Sequence, residues 1–311
     1  MKVLIVECES KGHHMALYVR FILRKFLSAN CKVSLLTTHS AAADPSFKLV
    51  EAEMNNATNI YFLPEFKIRK SLLSILLLLE QFKLWFFLRS KFRDIIKVDR
   101  PDIIYIPTLD LFAKATEILG SPFGNIPFVA LYMKPKHHQK SMGLGPSSRQ
   151  DWLYDKLFKK LLMSKSLKSL LVIDEYLFHY SKERYKKLSD KIQYVPDFAM
   201  IDGNLSKKDA RKNLGISKNA KVILVYGSLQ LRKGIKELIS ILFDSKLNEK
   251  IIILLAGQPD KDIENLTLTA EVKSLIFQKK IINSFKFHDT VEEQQVFVAS
   301  DAVWLGYTKE F

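Results

Sequence analysis

Short apolar runs alternate with longer amphipathic segments almost from the first residue. Helical spacing places a set of apolar residues on one face of the first such segment: Met15, Tyr18, Val19, Ile22, Leu23, Phe26 and Leu27. This alternation predicts βα units, and therefore a parallel sheet with helices on both of its faces. The first series of predicted strands is Val3–Val6, Cys31–Thr37, Asn59–Leu63, Asp102–Ile106, Pro127–Met133 and Ser169–Ile173.

A second series begins after a pause around Tyr194–Ala199 and a lysine-rich segment that ends at Gly215. Its predicted strands are Val222–Tyr226, Ile251–Ala256 and Ala302–Leu305, with an amphipathic helix over Ile235–Phe243. A chain of 311 residues exceeds the size at which one core usually suffices. We therefore predict an α/β protein with two Rossmann-like domains, 1–198 and 199–311. We expect the second domain to be incomplete, because the chain ends directly after a strand.

The stretch 67–97 is rich in leucine and aromatic residues and has lysine and arginine on both flanks. Glu80, Gln81 and Lys83 interrupt it, so it is too short and too charged to span a bilayer. It is either a buried helix of the first domain, the interpretation we favour, or a helix that docks on a membrane interface. Both interpretations are compatible if one face of the helix is buried in the domain and the other docks on the membrane.

The formal net charge of +15 predicts attraction to a phospholipid surface, a nucleotide or a nucleic acid. Nucleic acid is the weakest of these, because the lysines are not interleaved with aromatic residues on one platform. Cys8 and Cys31 cannot form a disulfide scaffold, and no Cys/His cluster has zinc-ligand spacing. The amino terminus lacks the features of a signal peptide. We therefore expect a cytoplasmic protein, either free or peripheral on the inner face of the membrane, with no metal.

The most informative segment is the strand–turn–helix over 222–243. The predicted strand ends at Gly227, and Lys233 and Gly234 open the helix. A helix amino terminus beside a lysine suits a phosphate, and Arg232 adds a second positive charge. Cations at this point would stabilise a departing diphosphate. The alternative is an ordinary strand–turn–helix with a surface pair of cations, and the segment alone does not decide between the two.

Residues that follow the predicted strands of the first domain are candidates for an acceptor site. Gly12, His13 and His14 lie in the loop after the first strand, where glycine lets a ligand approach and histidine contacts a phosphate or hydroxyl. Asp110 and His138 follow two later strands. The alternatives are solvated histidines and a helix N-cap for Asp110. The loop has a single glycine and lacks G-x-G-x-x-G, so NAD binding is not expected.

The segment GSLQLRKGIKELI resembles the G-R-L-x-x-x-K-G-x-x-x-L-I segment of the retaining GT-B glycosyltransferases known as family 4. In that family the lysine and an arginine five residues earlier hold the diphosphate of the donor, so the resemblance implies that Lys233 is catalytic and binds the diphosphate, with Gly227 also in the donor site. Ser228 occupies the position at which that family has an arginine, and Arg232 lies beside Lys233 as a substitute charge.

Further segments resemble the same family, among them YVPDF, PDIIYIPTL, ILLAGQPD and FKFHDTVEEQQVFVASDAVWLGY. The resemblance implies that Gly257 lines the donor site and that backbone around Phe287 and His288 contacts the nucleotide base. It also places Glu310 as the first glutamate of the family's catalytic E-x(7)-E pair, with the second beyond the end of the chain.

The resemblance implies transfer of a sugar, with retention, from a nucleotide-diphosphate donor to a glycan or lipid-linked acceptor at the cytoplasmic face of an anionic membrane. No metal or other cofactor is expected, because Lys233 and helix amino termini would do the work of a cation at a cleft between the domains. The alternative is a truncated, inactive relative or a basic protein that binds an anionic polymer.

Overall fold

The apolar runs of the sequence form the strands of two parallel sheets in the computed structural model. The structure describes residues 1–9, 14–43, 47–54, 58–64, 74–141, 143, 150–196, 205–243, 251–286 and 290–307. The chain divides into two compact units, Met1–Ala199 and Met200–Phe311. Each unit holds one of the sheets with helices packed on it, which confirms the predicted α/β class with two Rossmann-like units.

The sheet of the first unit has the strand order β3-β2-β1-β4-β5-β6-β7, and each neighbouring pair is parallel. The order reverses between β1 and β4, so the carboxyl ends of these two strands mark the switch point at which open α/β sheets bind ligands. The strands are β1 (Lys2–Val6), β2 (Lys32–Thr38), β3 (Ile60–Leu63), β4 (Ile103–Ile106), β5 (Phe128–Leu131), β6 (Leu167–Val172) and β7 (Ile192–Tyr194).

Helices cover both faces of this sheet. Leu4 and Val6 join one apolar core and Val3 and Ile5 join the other, as the alternation of side chains along a strand requires. The helices are α1 (Arg20–Ser28), α2 (His39–Ala42), α3 (Phe47–Glu53), α4 (Ser74–Val98), α5 (Ala113–Leu119), α6 (Asp151–Met163) and α7 (Glu175–Tyr185). A turn of π-helix, His14–Val19, precedes α1, and 3-10 turns occur at Leu109–Leu111 and Lys186–Lys191.

Helix α4 confirms the buried-helix interpretation for its own residues, whereas 67–73 lie outside the described residues. Leu84, Trp85 and Leu88 are buried in the core of the first unit. On the opposite side of the helix Leu79 and Phe86 are exposed, at 58% and 59%. No described helix is both long enough and apolar enough to cross a membrane.

The second unit has a sheet of order β10-β9-β8-β11, again parallel throughout, whose order reverses between β8 and β11. Its strands are β8 (Lys221–Tyr226), β9 (Ile251–Ala256), β10 (Ile281–Ser284) and β11 (Ala302–Val303). Its helices are α8 (Lys207–Asn213), α9 (Ile235–Ser240), α10 (Lys261–Thr267), α11 (Ala270–Phe277) and α12 (Thr290–Ala299). The helix predicted over 235–243 ends earlier than expected, because Ile241–Phe243 tightens into a 3-10 turn.

Candidate functional site

The turn that carries Lys233 follows the carboxyl end of β8, one of the two strands at the switch point of the second unit. Leu231–Lys233 forms a 3-10 turn, and Gly234, in the left-handed conformation, leads into α9. The Lys233 side chain folds back over the strand end, where its Nζ donates a hydrogen bond of 2.7 Å to the carbonyl oxygen of Tyr226. The ammonium group therefore lies where a ligand of this sheet would bind.

The ammonium group of Lys233 is partly buried, and among the described residues no carboxylate lies within ion-pair distance of it. Burial and, to a smaller extent, the nearby charge of Arg232 lower its pKa. The Arg232 guanidinium donates to Gln230 Oε1 at 2.6 Å and lies 5.5 Å from the centre of the Tyr307 ring. An anion bound here would compensate two clustered positive charges.

At the carboxyl ends of β8 and β9, the surface beside Lys233 is formed by backbone rather than by side chains. Gly227 N–H donates to the Ala256 carbonyl at 2.9 Å, and the loops after β8 and β9 run in contact. A Cβ atom on Gly257 would lie 1.9 Å from the Gly227 carbonyl oxygen, so this approach requires glycine. The structure thus brings Gly227, Gly257 and Lys233 to one edge, and leaves Ser228 exposed beside them.

The loop after β11, which sequence reasoning did not include in the site, also contacts the Lys233 turn. Trp304 Nε1 donates a 2.9 Å hydrogen bond to the Lys233 carbonyl oxygen. Gly234 and Gly306 are packed so closely that a Cβ on Gly234 would lie 2.1 Å from the Gly306 carbonyl oxygen. Trp304 and Lys233 are 71 positions apart in the sequence, and no local pattern of residues predicts their contact.

Five of the predicted site residues cannot be placed. Gly12, His13, Phe287, His288 and Glu310 lie outside the described residues. Their assignments remain predictions from the sequence.

In the first unit, Glu7, Thr108 and His14 meet at the switch point between β1 and β4. Thr108 Oγ1 donates to Glu7 Oε2 at 2.8 Å and lies 2.8 Å from His14 Nδ1. Because the threonine proton is used on Glu7, His14 must donate through Nδ1, which leaves the Nε2 lone pair of a neutral imidazole as an acceptor. The Glu7 side chain is fully buried, whereas that of His14 is 20% exposed.

Glu7 also controls the charge of His14. Burial lowers the pKa of His14, but the carboxylate of Glu7, 3.7 Å from its Nδ1, and the negative charge of Glu9 outweigh burial, so the pKa is raised. Sequence reasoning included His14 but missed Glu7 and Thr108. Their one signal is that each is a polar residue just beyond a predicted apolar strand.

Asp110 secures the loop after β5 instead of capping a helix. Its Oδ2 and Oδ1 accept hydrogen bonds from the backbone N–H groups of Met133 and Lys134, at 2.9 and 2.8 Å. Burial raises the pKa of this carboxyl group, although the backbone donors oppose the rise. Asp110 therefore holds the carboxyl ends of β4 and β5 together.

His138 lies inside the unit and not on the surface of a crevice. It is fully buried, and its Nε2 lies 2.9 Å from Asp174 Oδ2. Asp174 caps α7 by accepting from Leu177 N–H. The prediction that His138 faces an acceptor does not fit this position, because the imidazole is fully buried and packs beside the Tyr180 ring of α7. No group of three His, Cys, Asp or Glu residues in the described parts of the chain is placed to hold a metal ion.

No protein-family model and no curated protein matches the sequence. Solved structures do match the fold. Sucrose-phosphate synthase from Thermosynechococcus elongatus has a TM-score of 0.61 at 16% identity, over 100% of this chain and 76% of that one. The catalytic domain of starch synthase IV from Arabidopsis thaliana, bound to ADP and acarbose, has a TM-score of 0.59 at 9% identity, over 97% of this chain and 77% of that one.

Anabaena HepE in complex with UDP and glucose is similar over 97% of this chain and 73% of its own, with a TM-score of 0.56 at 15% identity. The second unit of the present chain carries the same kind of parallel sheet as the first, with its lysine turn at the strand ends. The chain therefore has the GT-B fold that these glycosyltransferases share.

Proposed function

We propose that this protein is a glycosyltransferase that moves a sugar from a nucleotide-diphosphate donor to a glycan or lipid-linked acceptor. The observation that carries the proposal is the partly buried ammonium group of Lys233 at the carboxyl end of β8, without a carboxylate partner in the described residues. HepE has been solved with UDP-glucose and with UDP, and starch synthase IV with ADP. Those ligands make a nucleoside diphosphate the first choice for the anion that Lys233 binds.

In this reaction the bond between the anomeric carbon and the diphosphate breaks, and an acceptor oxygen bonds to that carbon and loses its proton. The diphosphate gains negative charge as it departs, and Lys233, aided by Arg232, would stabilise it. A side chain at Gly257 would collide with the Gly227 carbonyl oxygen, so the glycine keeps the two loops beside Lys233 in contact. Retention of anomeric configuration stays a prediction from the resemblance to family 4.

On the acceptor side we propose a role for His14. Its neutral form has an Nε2 lone pair that can accept the proton of an acceptor hydroxyl, and Glu7 strengthens it as a base through Thr108. Its protonated form would instead bind a phosphate of a lipid-linked acceptor. A rate that rises with pH through the pKa of His14 supports the first role, and a rate that falls supports the second.

The outer side of α4 supports an acceptor presented on a membrane. Leu76, Leu79 and Phe86 are exposed there, and Arg93 and Lys97 follow on the same side. Vesicles with and without anionic lipid test this: the double variant Leu79→Ser/Phe86→Ser should lose binding, whereas Phe277→Ser, which alters an exposed phenylalanine of the second unit, should not. Equal binding to neutral and anionic vesicles would argue against membrane docking.

Calorimetry with UDP, ADP and GDP, and then with the sugar forms of whichever binds, tests the donor site. We expect one nucleotide to bind, and Lys233→Ala to weaken it about tenfold or more, since a charge-assisted contact is lost. Lys236→Ala is the matched control, because Lys236 is an exposed lysine three positions further along.

Absence of nucleotide binding, together with tight binding of an anionic polymer, would favour the alternative of a basic polymer-binding protein. Nucleotide binding without sugar transfer to any acceptor would favour an inactive relative.

A further inference from the structure

A cavity of about 580 Å³ opens between α6, α7 and the loop after β5 in the first unit. None of the residues assigned above to sugar transfer lines it. Aromatic rings, hydroxyl groups and lysine side chains line it, and the structure describes each of these lining residues. Glu7, His14 and Thr108, which meet at the switch point of the sheet, do not line it.

The floor of the cavity is a closed hydrogen-bond network. Asp155 Oδ1 accepts from the hydroxyl groups of Tyr180 and Tyr185, both at 2.8 Å, and Oδ2 accepts from Arg184 at 3.1 Å. The Tyr185 oxygen is 3.1 Å from His137 Nε2. Burial above all, with the neighbouring charges of His138 and Lys114, lowers the pKa of His137 to about 3. These groups hold one another in place, so the floor is preorganised and His137 adds no charge.

The rim is cationic. Lys140, Lys156 and Lys159 are exposed, and none of them forms an ion pair within the described part of the chain. Lys156 Nζ lies 4.5 Å from the centre of the Trp152 ring, and 61% of Trp152 remains exposed. The lining holds four cations, including Arg184, against the two carboxylates of Asp151 and Asp155, one of which Arg184 already neutralises.

We propose that this cavity binds an anionic saccharide, whose ring packs on Trp152 and Tyr180 while its carboxylate, sulfate or phosphate group pairs with Lys156 and Lys159. An aromatic wall suits the apolar face of a sugar ring, and the lysines supply charge-assisted hydrogen bonds. Ser141 donates its proton to the His138 carbonyl at 2.7 Å, which leaves its oxygen as an acceptor for a sugar hydroxyl. The buried polar groups of the floor are already paired, which disfavours a nucleobase, because the edge of its ring needs partners of its own.

The inference goes beyond the proposed function, because it concerns binding at a second site and needs no donor nucleotide. Calorimetry of the full chain with a tetramer of galacturonic acid and with neutral maltotetraose tests it. We expect the charged tetramer to bind about tenfold more tightly than the neutral one. The double variant Lys156→Ala/Lys159→Ala should lose that advantage, and Trp152→Ala should weaken both ligands.

Lys160→Ala is the matched control, because Lys160 belongs to the same helix but donates to the Ile118 carbonyl at 2.7 Å and does not line the cavity. An equal loss in this control would show unspecific attraction to a basic surface and overturn the proposal. So would equal affinity for the two tetramers, or tighter binding of inorganic phosphate or UMP. Glucose 6-phosphate distinguishes two sources of the anionic group, a small sugar phosphate and an acidic glycan. Tighter binding of glucose 6-phosphate than of the charged tetramer would identify the ligand as a sugar phosphate, and weaker binding would identify it as an acidic glycan.

Discussion

The two sheets differ in the chemical groups that lie at their switch points. In the second unit, β8 ends in glycine backbone, with one lysine folded over it and Gly257 pressed against Gly227. In the first unit, hydrogen-bonded polar side chains lie at the equivalent position. The fully buried carboxylate of Glu7 accepts a hydrogen bond from Thr108.

This difference fits the separate donor-side and acceptor-side roles proposed for the two units. An edge made of backbone and a cation that has no carboxylate partner among the described residues offers positive charge to an anion. An edge made of a carboxylate, a hydroxyl and an imidazole sets the charge of the imidazole, and so suits the acceptor-side role proposed for His14. Four predictions test the contrast, from the largest expected effect to the smallest.

Lys233→Ala should reduce turnover about 10²–10³-fold, the usual cost of removing one group that stabilises a developing negative charge. The free energy of unfolding should change by only about 1 kcal/mol, because the hydrogen bond to Tyr226 is lost together with a partly buried charge. Initial rates with saturating donor, and urea unfolding, measure the two. A variant that keeps wild-type turnover would remove Lys233 from the mechanism.

Gly257→Ala should destabilise the second unit by about 2–4 kcal/mol. The new Cβ would lie 1.9 Å from the Gly227 carbonyl oxygen, at a φ of 135° that other residues rarely adopt. Gly215→Ala is the control in the same unit, because it has a positive φ but nothing within 4 Å of its Cβ. Equal losses of unfolding free energy in both variants would show that backbone strain, and not the contact of the two loops, is responsible.

Thr108→Val should cost about 1–3 kcal/mol of unfolding free energy, because it keeps the shape of the side chain but leaves the buried Glu7 carboxylate without one of its donors. Thr108→Ser retains the hydroxyl group and should recover most of the loss. Urea unfolding of both variants is the measurement. Similar stability of the valine and wild-type proteins would mean that the Glu7–Thr108 bond does not hold the edge together.

The smallest effect is the pH dependence of His14. Its folded pKa is raised above the ordinary 6.5, so its interaction with Glu7 stabilises the fold at lower pH and this contribution is lost as the pH rises through the folded pKa. Glu7→Gln should lower the pKa of His14 observed by NMR. His137 serves as an internal reference, since its pKa of about 3 leaves it neutral throughout the titration. An unchanged titration of His14 in Glu7→Gln would contradict the coupling.

Most of the architecture could be predicted because a buried parallel strand is recognisable from its own residues. The run Ile251–Ala256 is a strand at the predicted bounds. Strands β7 and β10 were missed, since only Ile192 is buried in β7 and only Ile281 in β10, which leaves neither with an apolar run. Helix α9 was overextended, because an apolar periodicity does not distinguish an α-helix from a 3-10 turn at its end.

The residues of the candidate site likewise divide into those that a local sequence pattern predicts and those that only the fold brings together. Lys233 was found because strand, glycine and lysine are close together in the chain. Glu7 and Thr108 are 101 residues apart, and only the pairing of β1 with β4 brings them into contact. His138 was placed in a crevice from its position after a strand, but packing of the loop buried it.

The sequence alone thus determined the α/β class, the two series of strands and the turn around Lys233, because apolar periodicity and local spacing act over a few residues. The tertiary structure alone decided which side chains share an edge, where the Lys233 ammonium lies, and which histidines are buried. Those outcomes depend on strand order and on contacts between distant segments, and such contacts leave no mark on the local pattern of residues.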